Sequence, residues 1–129
     1  MLRDVYRIFH AFQEELTAHM AKEEHVLFPL CRRLEDPELP PPDGIPGQLG
    51  IANPIAVMIR EHEHAGDALA HIRALTDGYT CSPGACNTYR VTFAALEQLE
   101  RDLHEHVHKE NNILFPKAVR LEKRLCPAS

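Results

Sequence analysis

HMAKEEHVLFPL, from His19 to Leu30, returns as HVHKENNILFPK, from His106 to Lys117. Superposing the two pairs His19 with His106, Lys22 with Lys109, Glu23 with Glu110 and Val26 with Ile113. The Leu-Phe-Pro next in line is shared as well. The repeated unit is His-x-x-x-Glu, then an apolar triplet and a proline. A helix advances about 100° per residue, so side chains four apart share a face. Each stretch therefore presents an imidazole beside a carboxylate, and both are metal-ligand types.

The surrounding sequence is helical in period. Val5, Phe12, Leu16, His19, Glu23 and Val26 recur in steps of three and four across residues 2–34. Pro29 falls inside this pattern and is expected to kink it, since it lacks an N–H and its ring crowds the carbonyl of His25. From Glu35 to Gly50 the chain reads EDPELPPPDGIPGQLG. Five prolines and three glycines there exclude a helix or a central strand, so residues 35–52 are expected to be loop. Asn53-Pro54 supplies a cap and a first-turn proline, and a second helix is expected to run to about Asp77, with Gly78 as its stop. Its stripe includes Ile55, Met58, His62 and Leu69. A third helix is expected to begin near Ser82-Pro83 or Asn87 and to reach Leu125, with Leu96, Leu99, Leu103, His106, Glu110 and Ile113 in its seam. Nothing alternates as a strand would. The fold class is all-α, with three long helices.

Composition agrees. At 129 residues the chain is expected to form one domain, and aromatics at 6% with no Trp suit packed helices better than a sandwich or barrel. A net charge of −5 without a basic stripe argues against nucleic acid. No apolar run approaches the roughly 20 residues that span a bilayer, and no signal peptide is recognisable, so a cytoplasmic location is expected. Cys31, Cys81, Cys86 and Cys126 read as free thiols in such a compartment, with a Cys81–Cys86 disulfide as the lesser alternative.

Five polar groups lie in line with core positions: His19, Glu23, His62, His106 and Glu110. A single His-x-x-x-Glu pair is usually a surface ion pair. Two inward carboxylates are another matter, because a buried unpaired carboxylate costs several kcal/mol and a facing pair also repels. A cation between them removes both penalties. Imidazoles and carboxylates without thiolate suit iron, or less well manganese, over structural zinc. His10, His25, His64, His71, His104 and His108 fall off the stripes and are left out of the site. No zincin, Walker, GxSxG or dinucleotide motif is present.

HMAKEEHVLFP, IREHEHAG, CSPGACNTY and HVHKENNILFP together resemble the hemerythrin-like (HHE cation-binding) domain of the iron–sulfur cluster repair di-iron proteins, the repair of iron centres family. The resemblance runs from about Phe12 to Lys117. It implies an up-down helical bundle around a non-haem di-iron centre, oxo- or hydroxo-bridged, with Glu23 and Glu110 as carboxylate bridges. His19, His62 and His106 would be terminal ligands. Cys86 falls where the family often has a cysteine. The resemblance also implies a role in repairing damaged iron centres under nitrosative or oxidative stress, with iron–sulfur proteins as clients. Two alternatives are a reversible O2 or NO carrier or sensor and a metal-free helical interaction module. Catalysis is left open. The family's short Cys-containing domain and first bundle helix, which brings two further histidines, have no match here. A second copy in a homodimer, an upstream segment or solvent is expected to take that helix's place.

Overall fold

The computed structural model describes residues 1–39 and 50–125, and every described regular element is helical. The chain forms three rods. The first comprises α1 (Leu2–Lys22), a π turn (Glu23–Leu27) and α2 (Phe28–Glu35). The second is α3 (Ala52–Leu75). The third repeats the first, as α4 (Asn87–Lys109), a π turn (Glu110–Leu114) and α5 (Phe115–Leu125). The connection expected over residues 35–52 lies largely outside the described residues, as does Cys126.

Both π turns stand immediately before the Phe-Pro pair. Pro29 and Pro116 are the second residues of α2 and α5, where a missing N–H costs little. A wider turn thus stands immediately ahead of Pro29, where the kink was expected. In a π turn the bonds run from i to i+5, which inserts one residue into the helix and rotates the remainder of the rod by about 100°. The seam expected through Ile113 is corrected by this slip, whereas Val26 stays packed against the core. Ile113 is 59% exposed, whereas Leu27 and Phe115 are buried.

The other helix ends obey local chemistry. α3 starts at Ala52 with Ile51 as its cap, so Asn53 lies one residue inside the helix rather than capping it. The Ile51 N–H donates instead to a Glu122 carboxylate oxygen at 2.7 Å, tying the start of α3 to α5. α3 ends at Leu75, where the Gly78 N–H reaches back to the Arg73 carbonyl at 2.8 Å. Gly78 takes φ +68, and Asp77 and Tyr79 adopt positive φ beside it. That strain is held by the Tyr79 N–H donating to Thr76 Oγ1 at 3.0 Å and by the buried Tyr79 ring.

Three apolar clusters lie along the rods. Val5, Ile72, Tyr79, Phe93 and Leu96 close one end. Phe12, Leu69 and Leu103 occupy the middle. Leu27, Leu30, Ile51, Ile55, Met58 and Phe115 fill the end beyond the π turns. Between the middle cluster and this last one sits a buried polar layer.

Glu100 was not anticipated inside. It is buried, and Arg73 Nε donates to it at 2.7 Å and the Tyr79 hydroxyl at 3.2 Å. Burial opposes its ionisation, but the Arg73 and Tyr79 hydrogen bonds outweigh that and hold the carboxyl below the usual range. The trio clasps the end of α3 to α4.

Candidate metal centre

The polar layer is built from one side of each rod. α1 contributes His19, and the first π turn opens on Glu23. α3 contributes His62, and the second π turn opens on Glu110. All four side chains are buried, and one ligand atom from each lies within 4.8 Å of the others. His106, the fifth residue of the expected set, stands at the rim with its side chain 44% exposed. Its Nε2 nevertheless lies 3.2 Å from Glu110 Oε2 and 3.5 Å from Glu23 Oε1. The six histidines placed off the stripes are all exposed.

The two buried rings are held in the same manner. His19 directs Nε2 to Glu23 Oε1 at 2.9 Å, while its Nδ1 meets Glu61 Oε1 at 2.9 Å. His62 directs Nε2 towards Glu110 Oε1, and its Nδ1 meets Asn111 Oδ1 at 2.9 Å. Phe115 stacks on the His62 ring with an interplanar angle of 6°. With Nδ1–H engaged outward, the Nε2 lone pair of His62 is turned into the layer. Metal-ligating histidines are typically anchored in this way through the nitrogen that does not bind the ion.

One contact is diagnostic. His62 Nε2 and Glu110 Oε1 are 2.9 Å apart but not aligned as a hydrogen bond, and both are buried without a hydrogen-bond partner. Buried polar atoms are nearly always paired, because an orphan costs about 1–3 kcal/mol. Two electron-pair donors converging on one point fit a cation. Two imidazoles and two carboxylates are the donor types that iron and manganese accept.

Electrostatics divides the layer. Burial works against the charged form of Glu23. The His19 and Glu110 hydrogen bonds and the nearby imidazoles outweigh it and hold the carboxyl down at about 2. Burial likewise works to lower the pKa of His19, but its hydrogen bonds to Glu23 and Glu61 raise it. Glu61 is lowered, since Lys22 and His19 together overcome its partial desolvation. Cys31, packed below the layer, is pushed up to about 11 by burial and by the Glu110 and Glu35 carboxylates, so it is a neutral thiol. Cys31, Cys81 and Cys86 are all unbridged.

Glu61 and Asn111 are the site residues that periodicity missed. Neither belongs to the repeated pair, and each reaches a ring on another rod. The available signal was adjacency: Glu61 precedes His62 and Asn111 comes directly after Glu110. In the wider π turn, Glu110 and Asn111 address opposite nitrogens of the same imidazole.

A cavity of about 340 Å³ opens between α1 and α3 and reaches His19 and His62, with walls that include Phe12, Leu16, Ala65 and Leu103. A second hollow, of about 400 Å³, lies between α1 and α4 and is walled by Leu2, Tyr6, Phe9, Leu96 and Leu99.

A family model described as the hemerythrin HHE cation binding domain matches residues 2–118. The chain is 42% identical over 112 residues to the iron-sulfur cluster repair protein YtfE of Yersinia pseudotuberculosis serotype IB (strain PB1/+). It is equally similar to the protein of that name from Yersinia pestis (strain Pestoides F). In each case the match covers 87% of this chain and 45% of the relative, so the chain spans a little under half the length of these curated relatives.

Proposed function

Because the chain belongs to the hemerythrin HHE cation-binding family, we propose that it is a non-haem di-iron domain serving the repair of damaged iron–sulfur centres. The observation that carries this reading is the buried convergence of His19, Glu23, His62 and Glu110, with His62 Nε2 and Glu110 Oε1 otherwise unpartnered. Glu23 and Glu110 face each other across the layer and would bridge two ions. His19 and His62 would each bind through Nε2, and His106 would close the rim. Iron bound there would supply exchangeable coordination positions and one-electron redox chemistry. The chain's own contribution is to hold the Glu23 carboxylate ionised and to fix the imidazole tautomers through Nδ1. No helix among the described residues is long and apolar enough to cross a membrane, and the proposed clients, iron–sulfur proteins, suit work in the cytoplasm.

The hollow between α1 and α4 and the half-exposed His106 support a further element of the reading. A second copy of the chain completes an up-down bundle by lying along that hollow, where Leu2 and Tyr6 are exposed. Sedimentation then gives a dimer, and a monomer holding two irons per chain removes this element.

The decisive experiment loads purified protein with ferrous iron anaerobically, counts the metal, and mixes the product with an apo iron–sulfur enzyme. Two irons per chain and restored client activity are expected. A client left inactive, together with a reversible spectral change on exposure to NO or O2, would favour a gas-binding carrier or sensor. The apolar walls of the cavity at His19 and His62 support that second reading. Fewer than about one iron per chain, with no stabilisation of the fold by metal, would leave a helical interaction module.

A further inference from the structure

His19 and His62 are mounted alike but not backed alike. Each turns Nε2 into the layer and gives Nδ1 to a side chain 2.9 Å away on a different rod. Behind His19 that side chain is the carboxylate of Glu61, on α3. Behind His62 it is the amide of Asn111, on the second π turn. An anionic acceptor draws the Nδ1 proton towards itself and pushes electron density onto Nε2, whereas an amide oxygen does so far more weakly. Lys22 holds the other Glu61 oxygen, but its side chain is 48% exposed, so water screens much of its charge. On the Nδ1 side the difference between the rings is therefore one of charge at equal distance.

We infer that Glu61 and Asn111 are unequal positioning residues that make the centre electronically lopsided. His19 is the stronger donor, and an ion held by His19 and Glu23 favours the ferric state over one held by His62 and Glu110. The inference rests on the di-iron reading above and deepens it by assigning which half of the centre gives up an electron more readily. Neither Glu61 nor Asn111 belongs to the repeated His-x-x-x-Glu pattern, so the asymmetry is written outside the ligands themselves.

The test uses the full chain loaded anaerobically with iron, as wild type, Glu61→Gln and Asn111→Asp. Glu61→Gln keeps the hydrogen-bonding shape and removes the charge, and Asn111→Asp adds a charge behind the other ring. Iron content and the two one-electron reduction potentials are read by spectroelectrochemical titration. Wild type is expected to reduce in two separated steps. Glu61→Gln should cost the harder-reduced step about tenfold in ferric-over-ferrous preference, an upward shift of about 59 mV, and so narrow the gap. Asn111→Asp should instead lower the easier-reduced step. Retained iron with unchanged potentials in both variants would overturn the inference while leaving the metal centre standing. Wild type without iron would overturn the metal centre itself, and this inference with it. Should Glu61→Gln misfold, a potential in Asn111→Asp equal to that of wild type overturns the inference alone.

Discussion

Glu23 and Glu110 occupy equivalent places in the repeated stretch, yet replacing each with glutamine should act in opposite senses on the metal-free protein. Glu23 accepts from His19 Nε2 at 2.9 Å, and its pKa falls from 4.5 to about 2 in the folded state. A drop of that size corresponds to roughly 3 kcal/mol, at about 1.4 kcal/mol per unit. Because the folded value is depressed, this stability is fully present above pH 4.5 and is lost as pH falls towards about 2. At pH 7 Glu23→Gln should therefore cost about 3 kcal/mol, within the range for breaking a buried pair. Glu110 differs, since its Oε1 is buried without a hydrogen-bond partner. Glutamine there keeps the volume, and its amide N–H can still donate to Glu23, so the change should lie between nothing and a gain of about 1 kcal/mol. With metal present the two variants converge. An ion at a hundred times its dissociation constant adds about 2.7 kcal/mol, and each variant should forfeit most of it. Urea unfolding monitored by circular dichroism, with chelator and then with cobalt(II), measures all four quantities. Equal losses for the two variants in chelator would mean that Glu110 is an ordinary ion-pair partner, and the case for convergent lone pairs would fail.

The same geometry carries other expected outcomes. His62→Ala should lower metal uptake at least tenfold, while His108→Ala, on the exposed back of α4, should leave it unchanged by metal analysis. Glu100→Gln should lower the urea midpoint at pH 7, because Arg73 and Tyr79 lose a charged acceptor. With the folded pKa of Glu100 lowered, the deficit should be constant above pH 4.5 and disappear as acid titrates the wild-type carboxylate. Leu69→Ala, at a fully buried position in the middle cluster, should cost about 2–5 kcal/mol in urea titration without altering metal stoichiometry.

The all-helical class and the number of rods were legible because Phe12, Leu69, Leu103 and their neighbours recur at helical spacing over long stretches. The same spacing put His19, Glu23, His62 and Glu110 on core-facing stripes, and all four are buried. It misjudged Ile113 because a fixed period carries straight through a π turn, and only the nearby proline hints at the slip. It could not foresee the depth of His106. That depends on which neighbours cover the α1–α4 side, a matter between rods rather than within one. Glu61 and Asn111 were invisible for a similar reason. Their partners lie on other rods, and no spacing along one helix records a hydrogen bond to another. Glu100 occupies a core position, but an acidic residue carries no apolar signal, and its justification, Arg73, is far away in sequence.

The paired π turns make the chain's length, and not only its composition, part of the design. Each turn acts as a one-residue phase slip between the half of a rod that carries the imidazole and the half that carries the apolar plug beneath it. Removing Asn112 would restore a plain helix and swing Phe115 and Ala118 about 100° away from Leu27 and Met58. One residue reinserted anywhere between 110 and 114 would bring them back, whereas the same change within the exposed turn at 82–84 should pass unnoticed. Tolerance to gaps in this protein should accordingly be mapped by phase: intolerant to single deletions at two short windows, and indifferent to substitution at the outward positions inside them.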